Sequence, residues 1–244
     1  MIPKIIHYCW FGKKAMPVKL QQCLSTWRQN CPDYRIIEWN ETNFDVNMFP
    51  YAAEAYAEKK YAFVSDVARL YALSEYGGIY LDTDVEVLRP FDGILQHHCV
   101  FGFEYRNWIA TSFMAAEKDY PLMKNFLSAY RDARFVTGNE KNTETNVEKL
   151  TLILCEKGLC RDNTYQQLPD GIVIYPKEYF SPYDYGNCVN EKTKNSICIH
   201  YFYVSWLPGY ERIKKQMKKM LVSVIGKKNL VALRNWVRNE NENE

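Results

Sequence analysis

Tyr76-Gly77-Gly78-Ile79-Tyr80-Leu81-Asp82-Thr83-Asp84-Val85-Glu86 is the stretch on which the fold turns. A helical pattern ends at the glycine pair, a short apolar run then reads as a buried strand, and two carboxylates follow with one residue between them. On a strand, alternation sends Asp82 and Asp84 to one side and Thr83 to the other. Two acids on one side of a strand tip repel each other unless a cation lies between them. Carboxylate oxygens suit hard divalent ions such as Mg²⁺ or Mn²⁺. A solvated acidic turn is the plain alternative, because an Asp-x-Asp triplet also arises by chance.

Upstream, Phe63, Val67, Leu70, Tyr71 and Leu73 recur at helical spacing, and the pattern predicts one helix from Ala52 to Tyr76. Asp66 and Arg69 are three apart and share a face of it. Gly77 suits a left-handed C-cap, and Gly78 lets the chain turn sharply into the strand. The two elements thus deliver Asp66, Arg69, Asp82 and Asp84 together; a surface ion pair is the alternative for the first two.

Working outward, Lys4 to Trp10 reads as a first strand, Pro17 opens a helix with Leu20, Leu24 and Trp27 on one face, and Tyr34 to Trp39 reads as a second strand. A strand–helix–strand opening predicts a right-handed crossover in a parallel sheet. Later strands are expected at His98–Tyr105, Ala110–Ala116, Ile172–Tyr175 and Ser196–Tyr203, and helices from Pro121 through Arg131 and from Thr145 to Glu156. The fold class is α/β, with one domain over residues 1–209 and a helical tail over 210–244. No glycine-rich phosphate loop is present, so a bound diphosphate would need another holder, such as a metal on Asp82 and Asp84. Trp10 falls at the carboxyl end of the first strand, where open α/β sheets bind ligands.

None of the eight cysteines forms a C-x-x-C pair, which suits reduced thiols and a cytoplasmic setting. Lys4 and His7 interrupt the short apolar start, so no export signal is expected. The net charge of +2 hides an asymmetry: from Tyr210 to Arg238 nine Lys/Arg face only Glu211. Ile213, Met217, Met220, Leu221 and Val224 fall at helical spacing among those lysines. Such a basic amphipathic helix suits an anionic membrane surface, or else packs on the domain with a solvated lysine face. Nucleic acid is not an expected partner.

Ser65-Asp66-Val67-Ala68-Arg69, the Tyr76–Asp84 stretch and the opening Ile2-Pro3-Lys4-Ile5-Ile6-His7-Tyr8-Cys9-Trp10-Phe11-Gly12 together resemble the signature of the DXD-containing glycosyltransferases of family 32. The resemblance implies a GT-A type, Rossmann-like mixed but mostly parallel sheet flanked by helices. It implies a UDP- or GDP-linked nucleotide-sugar donor, Mn²⁺ or Mg²⁺, and transfer with retention to a glycan or lipid-linked saccharide. Bacterial surface polysaccharide or capsule synthesis at the inner face of the cell membrane is the expected setting. It also implies roles: Asp82 and Asp84 as metal ligands with His200 as a third, and Asp66 and Arg69 fixing the donor sugar and phosphate. Trp10 would stack on the base, Tyr80 would line the pocket and Trp206 would close over the donor. Trp10 and His200 as structural residues are the alternatives. Glu104 is read as structural, with a place on the catalytic face as the alternative, and acceptor-binding loops are expected at Thr137–Asn146. Two other classes stay open. In a phosphohydrolase, Asp82 would be nucleophile and Asp84 acid, although Glu86 stands where such enzymes carry threonine or valine. The other is a catalytically inactive protein that binds sugars or a membrane surface.

Overall fold

The structure is a computed structural model that describes residues 1–137 and 140–203. Trp206 and the basic tail lie outside the described residues. In chain order the elements are β1 (Ile5–Cys9), α1 (Val18–Asn30), β2 (Arg35–Trp39), α2 (Pro50–Ala57), α3 (Tyr61–Tyr76), β3 (Gly78–Leu81), β4 (Val85–Val87), β5 (Cys99–Gly102), β6 (Phe113–Ala116) and α4 (Pro121–Ser128). Then come β7 (Val136–Thr137), β8 (Glu140–Lys141), α5 (Asn146–Glu156), β9 (Gln166–Leu168), β10 (Ile172–Tyr175), α6 (Lys177–Phe180), β11 (Tyr183–Asp184), β12 (Val189–Asn190) and β13 (Cys198–His200).

Seven strands form the central sheet in the order β2-β1-β3-β6-β5-β10-β9. β1 is parallel to β2 and β3, β6 is antiparallel to β3 and β5, β5 is parallel to β10, and β9 is antiparallel to β10. So β2, β1, β3, β5 and β10 run one way and only β6 and β9 run back: the sheet is mixed and mostly parallel, as expected. The carboxyl ends of β1, β3 and β5 therefore share one edge, the edge at which ligands collect in open α/β sheets.

Alternation along the strands feeds two cores. Tyr80, Met114, Phe101 and Ile174 face the layer of α2, α3, α4 and α5, whereas Ile79, Leu81, Phe113, Val100 and Val173 face α1, β4 and α6. Both faces of the sheet are covered, which is why its strands read as continuous apolar runs. Among the described residues no helix is long and apolar enough to cross a membrane.

Three expectations are corrected. The helix predicted from Ala52 to Tyr76 is two helices, because Lys59 takes a left-handed φ of 57° and ends α2. There the Lys60 N–H bonds to the Ala55 carbonyl at 2.8 Å and the Lys59 N–H to that of Tyr56 at 2.9 Å, a Schellman ending with lysine in the usual glycine place. The acidic triplet is a turn between β3 and β4 and not an alternating strand: the Val85 N–H closes on the Asp82 carbonyl at 3.0 Å. Finally, the segment Thr137–Asn146, expected to be a loop, begins in the β7–β8 hairpin, which is held against α2. Glu54 accepts the Phe135 and Val136 N–H groups at 2.8 and 3.0 Å, and Lys141 pairs with Glu58.

The glycine pair does what its sequence suggests. Gly77 caps α3 at φ 64°, and Gly78, at φ 109°, leaves room for β1, since a Cβ there would lie 2.6 Å from the Ile5 carbonyl oxygen. His7 of β1 is a fully buried core residue. Its Nε2 bonds to the Gly77 carbonyl at 2.8 Å and its Nδ1 accepts the Trp39 indole N–H at 3.1 Å, which selects the neutral tautomer with the proton on Nε2. Burial accordingly lowers its pKa to about 4.

Candidate active site

Asp82 leaves β3 at the ligand edge of the sheet, and the turn brings Asp84 round to the start of β4. β4 is then gripped from both sides. β13 pairs with it antiparallel, in a register that sets His200 opposite Val85. On the other edge α1 supplies the partners that a further strand would have given. The Trp27 indole bonds to the Val85 carbonyl at 2.7 Å, Thr26 Oγ1 accepts the Val87 N–H at 2.9 Å, and Asn30 donates to the Val87 carbonyl at 2.9 Å. This clamp fixes the turn that carries both acids.

The result is a three-residue cluster. Asp82, Asp84 and His200 each offer an atom, all within 4.8 Å of one another. His200 Nε2 lies 3.4 Å from Asp84 Oδ1, and the Tyr203 N–H donates to Asp84 Oδ2 at 2.6 Å. Phe202, between them, adopts a left-handed φ of 49° that folds residues 201–203 over Asp84, with its ring 4.0 Å from the His200 ring. Such a conformation is costly for a bulky residue and is characteristic of functional sites. Burial pushes the Asp84 carboxyl upward, but the facing His200 and the Tyr203 N–H outweigh it and hold it below the ordinary carboxylate range. Burial likewise opposes a charged His200, and Asp84 overrides it, raising the imidazole to about 9.

The donor set fits a divalent cation. Two carboxylates and an imidazole suit Mn²⁺, which accepts both oxygen and nitrogen ligands. His200 Nδ1 is buried with no hydrogen-bond partner among the described residues, so the ring's polar contact runs through Nε2, the atom that faces Asp84.

Arg69 stands behind this cluster. Its guanidinium, buried, reaches Asp66 at 3.1 Å and Asp82 at 3.4 Å, donates to the Thr111 carbonyl at 2.8 Å and lies 4.6 Å over the Tyr80 ring. The expected pairing of Asp66 and Arg69 on one helical face is present, but it is no surface bridge. Burial raises the Asp66 carboxyl to about 6 against the opposing pull of Arg69. Tyr80, expected to line the pocket, is itself buried, and its hydroxyl donates to Asp82 Oδ1 at 2.9 Å. It braces a ligand from beneath. Trp10 sits half-buried at the end of β1 on the ligand edge, its indole N–H bonded to the Lys14 carbonyl at 2.7 Å.

Glu104 lies closer to the centre than its sequence setting suggests. It is 9% exposed, and burial, partly offset by His200 and Arg69, raises its carboxyl to about 7. A signal for it exists: Glu104 follows β5 much as Asp82 follows β3, and the two strands run the same way.

Residues 17–101 match the model of the glycosyltransferase sugar-binding region containing the DXD motif. Asp66, Arg69, Asp82 and Asp84 all fall inside the match. Over this stretch the chain resembles a DXD glycosyltransferase sugar-binding region. Beyond it, the chain is 29% identical over 126 residues to inositol phosphoceramide mannosyltransferase 3 of Schizosaccharomyces pombe, covering 50% of this chain and 35% of that protein. It is 31% identical over 106 residues to mannosyl phosphorylinositol ceramide synthase SUR1 of Saccharomyces cerevisiae, covering 39% of this chain and 26% of that one. The chain thus spans little more than a third, or less, of these two relatives. Among solved structures, galactosyltransferase LgtC aligns over 90% of this chain and 95% of its own, at 12% identity and a TM-score of 0.47. Within the sugar-binding region the sequence shows the acid pair and the buried arginine; His200 and Glu104 join it from later strands.

Proposed function

We propose that the protein is a metal-dependent glycosyltransferase of the GT-A type that moves a hexosyl group from a nucleotide sugar to a hydroxyl of a glycan or glycolipid. The observation that carries this is the convergence of Asp82, Asp84 and His200 within 4.8 Å at the ligand edge of the sheet, in a chain whose sugar-binding region supplies both acids. Asp82, Asp84 and His200 would hold the divalent ion, which supplies positive charge for the departing diphosphate.

The chain's own residues do the rest. Tyr80 and Arg69 fix Asp82 through the same oxygen, Oδ1. The Tyr203 N–H and His200 fix Asp84. A site whose acids are oriented before the donor arrives spends no binding energy on arranging them. Asp66, held by Arg69, offers a carboxylate to donor-sugar hydroxyls, and Trp10 offers an indole face to the base. In the transfer the bond from the anomeric carbon to the diphosphate oxygen breaks and a bond from the acceptor oxygen to that carbon forms. The hydroxyl proton passes to the departing diphosphate. Transfer is taken to be front-side with retention, as the family resemblance suggests, since no residue of the sequence declares itself as a covalent nucleophile.

Mannosyl donors are the first to test, because the two fungal relatives are named for mannosyl transfer. A panel of GDP- and UDP-sugars with Mn²⁺ or Mg²⁺ should show release of nucleoside diphosphate from one donor, abolished by chelator, and the product should keep the anomeric configuration. Failure of every donor under every metal would overturn the reading. The basic stretch over 210–238 is taken to bind an anionic membrane surface during glycolipid or surface-polysaccharide synthesis. Flotation with anionic vesicles should be lost when Lys214, Lys215, Lys218 and Lys219 are changed to glutamate; flotation that persists would refute it.

A further inference from the structure

Beside the acid–histidine cluster lies an open polar cavity of about 300 Å³ that none of the roles above occupies. One wall is the turn Glu104–Asn107, the other runs from Lys177 and Ser181 into the β11–β12 hairpin, where Gly186 sits against the Tyr105 ring. The second wall packs against the segment that covers the cluster. The Tyr183 ring packs on Tyr201 at 5.7 Å and the Tyr185 ring on Phe202 at 5.3 Å, and residues 201–203 are the segment that covers Asp84. From the first wall, Glu104 is coupled electrostatically to His200, Asp82 and Asp84.

The lining has the chemistry of a site for a neutral polyol. The positive Arg106 and Lys177 are accompanied by Glu104 and Asp184, and Lys177 is paired with Glu191, so the described lining is not a cluster of positive charge suited to a phosphate. Its lining is largely polar, and the exposed Tyr105 adds an aromatic ring of the kind on which sugars rest. Most telling is Ser181, a lining residue only 2% exposed, whose buried Oγ has no hydrogen-bond partner among the described residues. A buried hydroxyl left unpaired is a cost that a ligand hydroxyl removes.

We propose that this cavity is the acceptor site, that it takes a neutral saccharide or polyol, and that Ser181 and Glu104 hydrogen-bond its hydroxyls. The proposal rests on the transferase reading and moves the acceptor away from the 137–146 segment to the far side of the sheet's ligand edge.

The test is binding of methyl α-mannoside, α-glucoside and α-galactoside to the full chain by ligand-observed NMR, with and without a nucleoside diphosphate and Mn²⁺. At least one hexoside should bind and should not be displaced by the diphosphate. Ser181→Ala should weaken it about 10-fold, the ratio expected for one lost hydrogen bond. Gly186→Trp, which adds a bulky ring to the hairpin wall beside Tyr105, should abolish it. In the transfer assay the same variants should raise the acceptor KM and lower the ratio of transfer to donor hydrolysis. Hexoside binding that is absent, that is displaced by the diphosphate, or that is unchanged in both variants would overturn the proposal. Failure of the transferase reading looks different: the wild type would consume no nucleotide sugar, whatever the hexosides do.

Discussion

Each side chain at the centre is held by another, and this dictates what single changes should do. Tyr80→Phe removes one hydrogen bond from Asp82 and leaves the ring that packs under Arg69 in place. Loss of an outer partner of a metal ligand typically costs 10–100-fold, so the variant should bind Mn²⁺ about 10-fold more weakly while unfolding near the wild-type urea midpoint. His7 makes a separate prediction about acid. Its folded pKa, about 4, lies below the ordinary 6.5, so between those values the unfolded chain binds more protons and stability falls as pH falls. That difference corresponds to about 3 kcal/mol, fully present above pH 6.5 and mostly lost by pH 4.5. Urea midpoints at pH 7 and 4.5 should differ by less in His7→Gln than in the wild type. At this scale the acids were legible because spacing alone put Asp66 with Arg69 and Asp82 with Asp84. Glu104 was legible only as an acid after a strand, because nothing local says that its strand runs the same way as β3.

Among the elements, β4 carries the site and is the least self-sufficient. It is three residues long, with a strand on one edge and the side chains of α1 on the other. Trp27→Phe keeps most of the buried ring but leaves the Val85 carbonyl without its donor, a change worth about 1–3 kcal/mol. Thermal unfolding should report that loss, and Mn²⁺ affinity should fall with it because the turn bearing Asp84 slackens. At Gly78 an added methyl would meet the Ile5 carbonyl oxygen at 2.6 Å in a backbone conformation that side chains resist. Gly78→Ala should therefore destabilise by more than about 1 kcal/mol, measured by chemical denaturation, whereas a glycine serving only as a flexible joint would tolerate the change. Most strands and α1 were legible from their apolar runs and from proline and glycine punctuation. The break at Lys59 was not, since lysine gives no local warning of a left-handed backbone. Nor was the turn at Asp82–Asp84, which exists because β4 leaves β3 to pair with β13, a partner more than a hundred residues further on.

Across the whole molecule, the sheet's direction explains why residues so distant in sequence meet. β1, β3 and β5 end at one edge and place Trp10, Asp82 and Glu104 along it, while β13, outside the sheet, returns His200 to Asp84. The sugar-binding region over 17–101 thus holds the acids, and the completion of the site depends on chain well beyond it. His200 joining the two aspartates is the central claim, and it can be tested without knowing the donor. Pulsed electron paramagnetic resonance of Mn²⁺ bound to the full chain reports directly on nitrogen in its coordination sphere. The account predicts one imidazole nitrogen coupling in the wild type, its disappearance in His200→Ala, and loss of specific Mn²⁺ binding in Asp84→Asn. Mn²⁺ bound with no nitrogen coupling, or held equally well by Asp84→Asn, would contradict it.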